Sequence, residues 1–118
     1  MKSLTIQGTL VFAALAAGCA SAPPVNERAE STSAAIRAAE EVGASRVPSA
    51  SLYLQLAKEE SERAKGMINN GERERGVSLL LRAEVDADLA VALSREASER
   101  GEANAAMQRV HELQKSTP

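Results

Sequence analysis

Aromatic side chains are almost absent from this 118-residue chain: Phe12 and Tyr53 are the whole complement, and there is no tryptophan. It has one histidine and one cysteine. Bases and sugars therefore have no stacking platform, and neither a disulfide framework nor a multi-His or multi-Cys metal site can be assembled. There is no basic block, and 14 Lys+Arg against 16 Asp+Glu leave a net charge of −2. A weakly acidic chain without a basic patch is a poor ligand for nucleic acid. Gly-rich phosphate loops, paired cysteines and a serine nucleophile elbow are also missing. No segment alternates with the two-residue period of a strand. These absences predict an all-α, non-enzymatic protein with no cofactor, no metal and no small-molecule substrate.

What is present starts with Lys2, followed by an apolar run centred on Leu10-Val11-Phe12-Ala13-Ala14-Leu15 and closed by Ala16-Ala17-Gly18-Cys19. A charged start, a short apolar core and small residues at its end describe an export signal, and the run is too short for a bilayer span of ~20 residues. The lone cysteine directly after three small residues resembles the lipobox of bacterial lipoproteins. That resemblance implies cleavage between Gly18 and Cys19 and acylation of the Cys19 thiol with lipid (palmitate among the acyl chains). Two or more acyl chains anchor a protein stably. The residue after the cysteine is Ala20, not the Asp that retains such proteins in the inner membrane, which implies the outer membrane, facing the periplasm. Residues 1–18 are thus expected to be the signal peptide and 19–24, with Pro23-Pro24, an extended lipidated tether.

The rest reads as an antiparallel three-helix bundle over 25–118, with helices near 25–42, 49–69 and 72–114. Val25, Ala29, Thr32, Ile36, Ala39 and Gly43 recur at alternating steps of four and three, a one-faced helix. Asn26 and Ser49 are the expected N-caps, and Gly43 and Asn70-Gly71 the stops. The second stripe runs through Tyr53, Ala57, Glu60, Ala64 and Met67, with Leu52 and Leu56 alongside. The third runs through Gly76, Leu80, Ala83, Ala87, Ala90 and Ser94, then Ala97 and Gly101. Between 77 and 93 the apolar arc is wider than one stripe, so this helix is expected to serve both others as a common wall. Gly101 is a candidate kink. Beyond it Ala103, Met107 and Val110 continue a thinner stripe, the expected contact surface for a partner.

His111 is an isolated, solvent-side residue. Glu84 and Asp88 fall inside the apolar arc, with Asp86 pointing out beside Arg82. Counting back from the turn at Gly71 brings Tyr53 level with Asp88 and Lys58 level with Glu84, and the first helix brings Arg37 to a similar height. The expectation is a buried polar cluster of Glu84, Asp88, Tyr53, Arg37 and Lys58 that fixes helix register. A cation site or an acid–base pair on Glu84 and Asp88 is the functional alternative.

Two family resemblances follow from these residues. Gly71, Gly76, Leu80 and Ala83 match the spacing of one tetratricopeptide-type helix hairpin. The lipobox, the Pro-bearing tether and the run Arg82-Ala83-Glu84-Val85-Asp86-Ala87-Asp88 resemble a family of small proteobacterial lipoproteins. That family carries an all-helical domain of unknown function, in some relatives fused to an OmpA-like domain. The resemblance implies a lipid-anchored outer-membrane protein whose partners are membrane lipid and an envelope protein or itself. A structural Ala-rich coiled-coil spacer is the alternative architecture.

Overall fold

A computed structural model describes residues 24–117, so the expected signal peptide, the Gly18–Cys19 cleavage site and most of the tether lie outside the described residues. Three helices follow in order: α1 (Val25–Glu41), α2 (Pro48–Asn69) and α3 (Arg73–Ser116), with one 3-10 turn (Ala44–Arg46) between α1 and α2. Among the described residues there is no strand. α1 and α3 run parallel, and α2 runs antiparallel to both, joined to each by a short turn.

Glycine sets the two turns. Gly43 and Gly71 have φ of 77° and 87°, the left-handed region that a side chain disfavours. The expected N-caps, Asn26 and Ser49, are each corrected by two residues. Pro24 precedes α1, and Val47 precedes α2 with Pro48 in the first turn, neither making a side-chain cap bond. Pro48 forces Val47 extended (φ −103°, ψ 114°), and its missing N–H costs nothing in a first turn, so the helix begins before Ser49 can cap it.

α3 is the wall. Its buried residues are Gly76, Leu80, Ala83, Ala87, Ala90 and Ser94, the expected stripe as far as Ser94. Ala97 and Gly101 are exposed because α1 and α2 end below them. Gly101 does not break the helix, which continues for 44 residues, ~66 Å at ~1.5 Å per residue.

On α2 the buried set is Ala50, Leu54, Ala57, Glu60, Ser61 and Ala64. Leu52 and Leu56, expected alongside the stripe, are exposed. α2 must face α1 as well as α3, so the buried arc turns toward Leu54 and Ser61 and away from them.

Most core residues are alanine at zero exposure, and the largest side chains fully buried are Leu80 and Thr32. The single Thr32 hydroxyl hydrogen is shared between its own-helix Arg28 carbonyl (2.9 Å) and the Leu80 carbonyl across the interface (3.1 Å). That shared bond ties α1 to α3.

Small residues let the backbones approach closely. A Cβ placed on Gly76 lies 2.5 Å from Ile68 Cγ1 and 3.0 Å from the Ala64 carbonyl oxygen, whereas one on Gly101 meets nothing. Gly76→Ala is therefore expected to destabilise by about 1 kcal/mol, overpacking outweighing the gain in helix propensity. Gly101→Ala should instead stabilise by roughly 0.5–1 kcal/mol. Urea-melt midpoints of the two variants check both signs.

Candidate functional site

Polar side chains meet at three inter-helix edges, and the partners differ from those the sequence leads one to expect. Glu84 faces α1. It accepts from Arg28 Nη1 (3.1 Å) and from the Ser31 hydroxyl (2.6 Å), with Arg28 and Glu84 about three-quarters buried.

The expected five-residue cluster does not assemble. Asp88 and Arg37 are exposed, and Tyr53 is half-buried against the Ala50–Leu54–Ala90 core. Lys58 pairs with Glu40 of α1 (2.5 Å). Along the α2–α3 hairpin the Glu60–Arg82 pair fits the counted heights, but on α1 Glu84 meets Arg28 and Ser31, nine and six residues before Arg37, and the azimuths differ as well. Arg37 lies five residues past the buried Thr32, about 140° around the helix at ~100° per residue, and so points outward. Lys58 lines the α1–α2 groove with Ser33, Ile36 and Arg37, while Glu84 sits in the α1–α3 groove. Arg28 and Ser31 were legible only as polar residues on the flank of the first stripe.

The third edge lies between α2 and α3 on the side away from α1. Glu60 is 7 % exposed, and its Oε1 accepts from Arg82 Nε (3.1 Å). Its Oε2 is buried without a hydrogen-bond donor. Burial raises the Glu60 carboxyl above its ordinary value, and the neighbouring Asp86 charge raises it further, against the pull of Arg82 and Arg63. Two carboxylates are both acceptors, so a proton on Glu60 is what turns the Glu60–Asp86 contact into a hydrogen bond. Asp86 thus turns inward, toward Glu60, where the sequence placed it outward beside Arg82.

Among the described residues no three His, Cys, Asp or Glu side chains converge as a metal site would require. The lone His111 is exposed near the end of α3. No family matches this chain, and no curated protein or solved structure matches it either. Its functional surface is therefore read from its own residues.

The largest of these is the distal part of α3. After Ser94 nearly every side chain is exposed to residue 117, including Met107, Val110 and Leu113 at 66 %, 55 % and 66 %. Ala103 shares that surface.

Glu84→Ala strands the Arg28 guanidinium, whose Nε already has no partner. It should cost roughly 1.5–3 kcal/mol, and Asp88→Asn less than about 0.5, measured by thermal or chemical melts. For Glu60, the folded chain holds a proton at a pH where the unfolded chain has released it. Its stabilising contribution is present in full below the unfolded value of about 4.3 and is lost as pH rises through the higher folded value. Glu60→Gln supplies the missing donor at every pH. It is expected to stabilise by about 1 kcal/mol at neutral pH, with the gain vanishing below about pH 4. Melting curves across that range give the sign.

Proposed function

We propose that this protein is a non-enzymatic, lipid-anchored module of the bacterial outer membrane, facing the periplasm and binding another envelope protein or a second copy of itself. One observation carries the binding reading. α3 outruns its bundle by roughly 33 Å at ~1.5 Å per residue, and that stretch exposes Met107, Val110 and Leu113 with no helix beside them. A solitary helix of this length is marginal in water, and contact with a partner stabilises it.

The anchor reading rests on the sequence. Cys19 follows Ala16-Ala17-Gly18, its acylation accounts for a single unpaired thiol after an export signal, and the lipoprotein resemblance points the same way. No described helix is long and apolar enough to cross a membrane; in this reading the acyl chains provide the attachment. Turns at Gly43 and Gly71 divide the chain into a bundle, which favours a compact module over a continuous spacer. Glu84 spends its charge on Arg28, and Asp88 stands apart in solvent, which disfavours a cation site on that pair.

Mass spectrometry of the protein from its native envelope should show a mature chain starting at acylated Cys19; a free thiol there would refute the anchor. Met107→Lys with Val110→Lys should abolish crosslinking to the envelope partner while the melting curve stays unchanged. Undiminished crosslinking would exclude the distal surface.

A further inference from the structure

The back of α3, facing away from both α1 and α2, carries a second pattern. From Val85 an alternating four–three spacing runs down this face to Val110, passing through Glu96 and Glu99 at its middle. That is the seam spacing of a two-stranded coiled coil. Val85 and Val110 are 63 % and 55 % exposed, and Leu89 is 37 % exposed. The seam is close to a palindrome: Val85, Leu89, Ala92 and Glu96 from one end, Val110, Ala106, Ala103 and Glu99 from the other.

We infer that this face pairs with the same face of a second copy, antiparallel, about a two-fold axis beside residues 97–98. In that register Val85 meets Val110 of the second copy, Leu89 meets Ala106, and Ala92 meets Ala103. Each contact occurs twice, as a two-fold interface requires.

Charge selects the occupant and its direction. Asp88, Arg95, Glu102 and Arg109 line one flank of the seam, all are exposed, and none joins the ion pairs found among the described residues. The antiparallel register sets Asp88 against Arg109 of the second copy and Arg95 against Glu102. Four ion pairs result across the dimer, all of opposite sign. A parallel pairing instead sets Arg95 against Arg100 of the second copy and stacks Glu96 on Glu96. Flanking charges of this kind decide partner and orientation in coiled coils.

Glu96 and Glu99 oppose each other near the axis, partly offset by the Glu96–Arg100 ion pair. They keep the association reversible. The inference rests on the distal-surface reading above, naming its partner, and is independent of the lipid anchor.

The test uses the full chain with Cys19→Ser, so that only introduced thiols react. Val85→Cys with Val110→Cys should give disulfide-linked dimers, while neither single variant does, since like positions lie roughly 37 Å apart at ~1.5 Å per residue. Arg95→Glu should weaken self-association at least tenfold in sedimentation equilibrium, and adding Glu102→Arg should restore it. Glu99→Leu should tighten it at least tenfold. Helicity serves as the folding control, all these positions being exposed. Single-cysteine variants that crosslink as well as the double variant would overturn the antiparallel register. A strictly monomeric chain whose Met107→Lys, Val110→Lys variant still loses its envelope partner would overturn self-pairing and leave the distal-surface reading standing.

Discussion

Everything in this bundle depends on how closely α3 is approached by its neighbours. Alanines at zero exposure on α2 and α3, and Gly76 beneath Ile68 and the Ala64 carbonyl, bring two backbones together with almost no side chain between them. Dispersion is gained over many short contacts, but each alanine removes little apolar area from water, at roughly 25 cal/mol per Å². A core of this kind is sensitive to added volume and weak per residue. It needs help at its edges.

That help is polar and runs between helices. Arg28–Glu84, Lys58–Glu40 and Arg82–Glu60 bridge the three edges of the bundle, one per helix pair. The largely buried Arg28–Glu84 pair, joined by Ser31, contributes more than the exposed Lys58–Glu40 pair, which water screens. Glu60 is the costly member: its burial between α2 and α3 and its neighbour Asp86 hold its carboxyl up, so neutral pH works against that seam. Thr32 complements these pairs from inside by tying α1 to the α3 carbonyl ladder.

Geometry then divides α3 into two halves with different tasks. Its first half is enclosed on two sides and serves as the scaffold. The second half has no neighbour, yet its back keeps the apolar spacing begun at Val85, so the proposed contact surface continues a face of the scaffold. On the proposed lipid anchor, copies carrying such a face would meet at high local concentration, which lets a weak interface suffice.

Residue order alone determined the helix count, the limits of each helix within two residues, the stops at Gly43 and Gly71, and the α3 stripe from Gly76 to Ser94. These follow from local physics: periodicity at ~100° per residue and the few residues that tolerate a left-handed turn. Heights along the hairpin were also legible, since chain rise is fixed. Only the tertiary structure decided azimuth. It turned α2 toward Leu54 and away from Leu52 and Leu56, gave Glu84 to Arg28 and Ser31 instead of Lys58 and Tyr53, left Arg37 and Asp88 in solvent, and brought Asp86 to Glu60. The reason is that a helix with two neighbours rotates to satisfy both at once, and that compromise is a property of the assembled trio, absent from any one segment.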